Sequence, residues 1–512
     1  MSYNILDYLE QSAEKYPQKI AFADAQESIS FSELRSQARR VGSALAKMLS
    51  PRTPVAFYMD KSVNTIIGFL GAVYAGCFYV MLDLQQPTAR LNGILQILQP
   101  GILISGKADE KAVNSLTVVC PVKSMESLKD TEESEGLLKA VYDQSLDIDP
   151  LYCNFTSGST GVPKGVIVSH RSVLDFIDRF VPLFGITEQD VIGNQAPLDF
   201  DVSVKDIYSG LKTGARVELI PRGFFSIPVK LMDHLAQRRI TTLIWAVSAL
   251  CIVSTMKGLE YCKPEAINKV LFSGEVMPPR HLSYWKRFYP DALYVNLYGP
   301  TEITCNCTYH VIDREYSPEA VIPMGRAFPN EKVFLLDDKD HLVCEPHASG
   351  ELCVSGTALA LGYYNDTQRT NAVFTQNPLN RAYMEPIYRT GDLVRYGEDG
   401  LLYYVGRKDF QIKHMGHRIE LGEIEAAMNS ANHVERACVL YFEEKQKIAA
   451  FYVGTADIKE LMFFLKQRLP QYMIPNSFVN LMQMPVTKNG KIDRAQLRNI
   501  WLEQNRTEGD SP

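Results

Sequence analysis

The chain has 512 residues, 46% hydrophobic and 22% charged, with 53 basic against 59 acidic side chains and a net charge of −6. That length exceeds one ordinary hydrophobic core, so two or more domains of a soluble globular protein are expected. The mild acidity argues against nucleic acid or an anionic membrane as the main partner, and the longest apolar run, roughly residues 243–253, is too short to cross a bilayer. No basic segment followed by an apolar one opens the chain, so no signal peptide is read. The ten cysteines have no pairing rhythm, with Cys305 and Cys307 the only close pair, which fits reduced thiols in a cytoplasmic protein.

Ile5, Leu6, Tyr8, Leu9 and Ala13 predict an opening helix that stops before Pro17. Residues 19–23 and 28–31 read as a hairpin. Ser32 is the expected cap of a helix with apolar positions Leu34, Ala38, Val41, Leu45 and Met48. Residues 55–58 read as a buried strand, the run from Val63 as a helix and residues 78–82 as another strand. Strands alternating with helices predict an α/β fold with largely parallel sheets, whose ligand loops gather at the carboxyl ends of strands. Residues 106–150 carry many charges and little apolar periodicity, and read as surface structure.

Strands at 151–155 and 166–168 flank Thr156-Ser-Gly-Ser-Thr-Gly-Val-Pro-Lys-Gly165. Glycines free the backbone so that successive N–H groups converge, and with four hydroxyls and the Lys164 ammonium they suit a polyphosphate. The P-loop spacing is absent, and a plain flexible turn is the alternative. After a helix at 171–184, Asp201 falls where the next helix begins, running through Tyr208 and Leu211; by spacing alone an Asp there is an N-cap. Residues 242–247, with Trp245, and 270–273 read as buried strands. A further strand at 294–298 runs into Gly299-Pro300, with Thr301 and Glu302 directly after. Tyr298 can stack on a purine, Asn296 can meet a purine's amine and ring nitrogen, and Glu302 is a hard oxygen ligand suited to Mg²⁺; a hairpin corner with a surface Glu is the alternative. Asp392 reads as lying at a strand start, where a type I turn is the ordinary explanation.

The domain boundary is placed in the stretch from Tyr404 to Lys413, leaving roughly a hundred residues for a small domain. That domain reads as a helix (Leu421, Ile424, Ala427, Met428), strands at 437–442 and 448–453, and a helix capped by Thr455 or Asp457 that Pro470 stops. Asn489-Gly490 signals a two-residue hairpin turn with Lys491 at its tip, where a lysine is ordinarily solvated.

Six strings together carry a resemblance: residues 156–165, Phe200-Asp-Val-Ser203, residues 294–302, Tyr388-Arg-Thr-Gly-Asp392, Tyr404-Val-Gly-Arg407 and Asn489-Gly-Lys-Ile-Asp-Arg494. Over nearly the whole chain the sequence resembles the adenylate-forming superfamily of acyl-CoA synthetases, luciferases and amino-acid adenylation domains. The resemblance implies a large N-terminal multi-sheet α/β domain over 1–408 and a small mobile α+β domain over 409–512, with Asp409 as hinge and Gly416 in a loop lining a pantetheine tunnel. It implies ATP and Mg²⁺ as cofactors. Thr156, Ser157, Gly158, Ser159, Thr160 and Lys164 would hold phosphates, and Asn296, Leu297, Tyr298, Gly299, Pro300 and Thr301 would run along the nucleotide. Asp392, Tyr404 and Arg407 would meet ribose or phosphate, Glu302 would bind Mg²⁺, and Thr156, Glu302 and Lys491 would be catalytic. Asp201 matches the residue that pairs with a substrate's α-ammonium, which acyl-CoA synthetases generally lack; Lys205, Trp245, Ser273 and Cys305 would surround the substrate side chain.

The implied reaction is attack of an amino acid's carboxylate on the α-phosphorus of ATP, then transfer of the acyl group to the phosphopantetheine thiol of a carrier protein. The layout, ending after the lysine motif, resembles a stand-alone ligase, most of all the ligases that load D-alanine onto a carrier protein for teichoic acid alanylation. Ser273 stands where those ligases usually have Cys. Lys205 brings an ammonium that either snorkels to water or meets an acidic group such as the substrate's own side chain. D-alanine is the first expectation and another small or acidic amino acid the second; an acyl-CoA synthetase and a catalytically idle adenylate-binding protein are the other classes.

Overall fold

A computed structural model describes residues 3–106, 110–158, 162–486 and 492–506. The expectations placed on Ser159, Thr160, Asn489, Gly490 and Lys491 lie outside these. The chain divides into two compact units. One comprises Met1–Leu84, Leu95–Phe155 and Gly165–Lys408; the other comprises Gln85–Ile94, Thr156–Lys164 and Asp409–Pro512. The sequence reading made one cut after residue 408, whereas two short N-terminal segments, the glycine- and hydroxyl-rich loop among them, group with the C-terminal residues.

The elements that carry the site are, in chain order, strands β1 (Pro150–Thr156) and β2 (Lys164–Ser169), helix α1 (Val202–Thr213), and strands β3 (Thr242–Ala246), β4 (Lys269–Ser273), β5 (Leu293–Tyr298), β6 (Thr308–Val311), β7 (Gly362–Tyr363), β8 (Pro386–Tyr396) and β9 (Leu402–Arg407). Three sheets build the first unit. A seven-stranded sheet contains β1, β2 and β7; a nine-stranded sheet contains β3 to β6; a six-stranded sheet contains β8 and β9. The centre of the nine-stranded sheet is parallel, with β3 on β4 and β4 on β5, while β5 and β6 run antiparallel.

Side chains alternate along these strands. Ile244, Leu271, Val295 and Leu297 enter one core that also takes Val204, Ile207, Tyr208 and Leu211 of α1 and, from the seven-stranded sheet, Leu151 and Val166. Leu243, Trp245, Val270, Phe272 and Tyr294 enter a second core on the other face. A sheet covered on both faces has near-continuous apolar strands, which is why these runs lack clean alternation in sequence. Helix α1 ends at Gly214, whose N–H closes the last helical bond to the Gly210 carbonyl and whose left-handed φ of 78° turns the chain out of the helix.

Several expectations change. The six-stranded sheet is antiparallel throughout its described pairings, not parallel. The turns from Leu336 to Leu342 and from Tyr396 to Leu402 are too short for a crossover. The cap of the second helix is Ser30, not Ser32: its side chain accepts from the Glu33 N–H while Glu33 reaches back to the Ser30 N–H. Residues 106–150 hold short helices that bury Met125, Leu128 and Leu138, so apolar positions too sparse to show a period still anchor the surface. Asp392 sits inside β8 rather than at a strand start.

In the second unit, Gln411–His414 and His417–Glu420 form a hairpin whose Met415 and Gly416 both have positive φ. Helix Leu421–Asn429 follows. Val434–Phe442, Lys447–Gly454 and Ser477–Leu481 form a three-stranded sheet. Asp457, not Thr455, caps Ile458–Lys466, accepting from two N–H groups. Trp501 is wholly buried and stacks on Phe442 at 3.8 Å between centroids. No helix among the described residues is long and apolar enough to cross a membrane.

Candidate functional site

The amino-terminal turn of α1 supplies the first group. Asp201 occupies the cap position, yet its side chain makes no capping bond and its backbone is already helical. Its carboxylate instead accepts from the Thr301 hydroxyl, and burial raises its pKa above the usual aspartate value, opposed by that bond and the Lys205 charge. The N-cap explanation therefore fails for this residue. One turn on, Lys205 is fully buried. Its Nζ donates to Asn306 Oδ1 at 2.9 Å and Ser273 Oγ at 3.3 Å, and burial lowers its pKa. It does not snorkel to water; α1 lies flat on the sheet and both ends of the lysine stem are enclosed.

Cys305 has a left-handed φ of 74° and its thiol donates to the Asp201 carbonyl at 3.1 Å; burial raises the thiol's pKa. Thr304 before it is also left-handed, with its hydroxyl on the Ala358 carbonyl. This kinked turn swings Asn306 under Lys205. The structure brings Asp201, Lys205, Ser273 and Cys305 together and does not bring Trp245 to them. Trp245 pairs in register with Phe272, and Ala246 with Ser273, so Trp245 faces the opposite side of the sheet from Ser273. Its indole N–H donates to the Gly193 carbonyl at 2.7 Å inside the second core. The expectation that it walls the pocket is corrected by that alternation.

The other end of the site gathers around β5. Asn296 donates to the Pro323 carbonyl at 2.7 Å. The Tyr298 hydroxyl donates to Asp392, whose other oxygen accepts from Arg407 at 2.7 Å, all three side chains being largely buried. Burial and the Asp392 charge raise the phenol's pKa. Leu297 points into the shared core, so only its backbone can face a ligand. Gly299 allows the chain to pass against the Cys305–Asn306 backbone, where a Cβ would lie 2.4 Å from Asn306 Cα. Buried Pro300 and the short 3₁₀ turn Thr301–Ile303 then present Glu302, which is wholly buried and accepts from the Tyr363 hydroxyl at 2.7 Å. Tyr404 lies half-buried on β9, and Asp409 is exposed, its carboxylate accepting from the Gln411 N–H.

At the end of β1, Thr156 Oγ1 is buried with no hydrogen-bond partner among the described residues. Ser157 is buried and donates to the Arg418 carbonyl at 2.7 Å, and Lys164 is buried.

The family described as AMP-binding enzyme matches residues 9–364. The chain belongs to the AMP-binding enzyme family. Tyrocidine synthase 1 of Brevibacillus parabrevis is 31% identical over 99% of the chain, which spans only 46% of that protein. D-alanine--D-alanyl carrier protein ligase of Staphylococcus haemolyticus is 30% identical over 96% of the chain and 98% of its own length. A solved structure, NpsA-ThdA, an artificially fused Adenylation-PCP di-domain NRPS from Klebsiella oxytoca, superposes with a TM-score of 0.80 at 23% identity, over 99% of this chain and 96% of that one, and shares the fold.

For an AMP-binding enzyme, the orphaned Thr156 hydroxyl is the kind of donor that a phosphate oxygen would satisfy. No cluster of three metal-ligating side chains occurs among the described residues. A lone carboxylate such as Glu302 fits Mg²⁺ that arrives with phosphates and keeps waters, not a protein cage. Sequence reasoning missed Asn306, Tyr363, and a polar group beneath α1. There Asn194 donates to Asp206 at 2.6 Å, and Lys61 donates to the Asn194 and Gln195 carbonyls, at 3.3 and 3.2 Å. Burial pushes Asp206 up and Lys61 down, each to about 7. These partners come from separate parts of the chain, so no local spacing reveals them.

Proposed function

We propose that the protein uses ATP to activate an α-amino acid. A carboxylate oxygen attacks the α-phosphorus, the bond to the leaving pyrophosphate breaks, and an aminoacyl-adenylate forms. The acyl group then passes to the phosphopantetheine thiol of a carrier protein, releasing AMP. The observation that carries this reading is Asp201: a carboxylate withdrawn from capping and tied to Thr301, the residue before Glu302. A carboxylate in such a place needs a cation, and an amino acid's ammonium is one. Glu302 would hold Mg²⁺, which when bound would supply positive charge between the approaching anions. Tyr363 orients Glu302, and Arg407 and Tyr298 hold Asp392 rigid for ribose.

Residues 1–408 are assigned ATP and amino-acid binding, and 409–512 the catalytic Lys491, with Asp409 as hinge. The name of the Staphylococcus haemolyticus relative, and the motif layout, support a carrier protein as acceptor and D-alanine as the reference substrate. The test is ATP–pyrophosphate exchange across D- and L-amino acids. Exchange that needs an amino acid is expected; exchange supported only by amine-free carboxylates would instead make this an acyl-CoA-type synthetase.

A further inference from the structure

Lys205 stands four residues after Asp201 on α1, so the two side chains leave one face of the helix about 6 Å apart along its axis. Asp201 is partly exposed; Lys205 is wholly enclosed. Among the described residues the lysine's acceptors are Ser273 and Asn306, both neutral, and they serve two of its three protons. The charged or ionisable groups that face it are Cys305, Asp201 and Asp206. Cys305 is a protonated thiol, its pKa raised by burial. Asp206, bonded to Asn194, feels the charges of both Lys205 and Lys61, but burial pushes its carboxyl up to about 7, so it carries only part of a charge. That leaves Asp201 as the counter-charge at this end of the helix.

Substrate changes the count. Once an α-ammonium pairs with Asp201, the Lys205 ammonium loses its counter-charge while staying sealed from water. A methyl or other apolar side chain would leave it facing hydrocarbon, an unfavourable arrangement for a buried cation. A side-chain carboxylate would restore the balance, with Asp201 on the amine and Lys205 on the acid, Ser273 and Asn306 holding the lysine in place.

We infer that the amino acid activated here carries an acidic side chain, read by Lys205 with Ser273 and Asn306 as positioning residues; this rests on the amino-acid-activating reading above. Lys205 is then the specificity-determining residue, and D-alanine is a poor substrate.

The experiment is ATP–pyrophosphate exchange by the full chain with D- and L-aspartate, glutamate, asparagine, glutamine and alanine, in the wild type and in Lys205→Met. The expected result is at least about tenfold higher exchange with an acidic amino acid than with its amide. In Lys205→Met that ratio should fall to about one or invert. A ratio taken within one preparation is independent of the folded fraction. Should the variant not fold, the wild type's thermal shift decides: the acidic amino acid with ATP should raise Tm more than its amide does. Preference for alanine or an amide in the wild type would overturn the assignment while leaving amino-acid activation in place, and so would an unchanged ratio in Lys205→Met. Exchange with none of these would overturn the acidic assignment, and only the absence of exchange with every D- and L-amino acid would remove both.

Discussion

Asp201 shows how one side chain separates two readings that share a spacing. At the start of a helix an Asp is ordinarily a cap, and only the absence of the capping bond, with Thr301 as partner instead, sets this one apart. Asp201→Ala should lower kcat/KM for the amino acid by about 10–100-fold, the loss of a charge-assisted pair, while ATP binding measured by calorimetry changes little. The ionised form holds the ammonium. Because burial raises the Asp201 pKa, KM for the amino acid should climb as pH falls through that raised value, at higher pH than an ordinary aspartate would require. A KM independent of acidification would contradict the pairing. The sequence made Lys205 visible as an oddity but not its fate: whether a lysine snorkels depends on what covers its stem, and Asn306, supplied by a turn 101 residues away, cannot be seen from spacing.

Among elements, the turn from Gly299 to Asn306 ties the site together. Gly299→Ala puts a Cβ against backbone atoms that no side-chain rotation can clear, so it should shift the Cys305–Asn306 turn, lower stability by about 1–3 kcal/mol in denaturant unfolding and weaken activation of the amino acid. Unchanged activity would mean that the turn does not support Lys205. Beneath α1, Asp206 and Lys61 oppose each other. Asp206, raised to about 7, contributes stability that is complete below its ordinary value and is lost as pH rises through about 7. Lys61, lowered to about 7, contributes stability that is complete above the ordinary lysine value and is lost as pH falls through about 7. Asp206→Asn removes the first of these. The stability of the wild type relative to that variant should decline between roughly pH 4 and 7 and level off above, by on the order of a few kcal/mol. Local signals found the strands and helices here because apolar runs and capping residues act within a turn or two. They misjudged the six-stranded sheet, whose pairing follows from connection lengths, and Trp245, whose face follows from register with Phe272.

For the molecule as a whole, the α/β architecture and the AMP-binding family were legible because glycine loops and the Gly-Pro turn before Glu302 are local strings with a chemical purpose. The grouping of residues 85–94 and 156–164 with the C-terminal unit was not, since contacts between distant segments leave no mark in composition. Lys491→Ala should lower adenylation by about 10²–10³-fold while transfer from a supplied aminoacyl-adenylate to a thiol is less affected; equal loss of both steps would argue against its role. The central claim is that Asp201 makes this an enzyme of amino acids rather than of simple acids. Isotope exchange between pyrophosphate and ATP, run with each amino acid and with its deaminated analogue, tests it most directly. The account predicts exchange only with the amine present, and its loss in Asp201→Ala; equal exchange with the deaminated acid, or full exchange in Asp201→Ala, would contradict it.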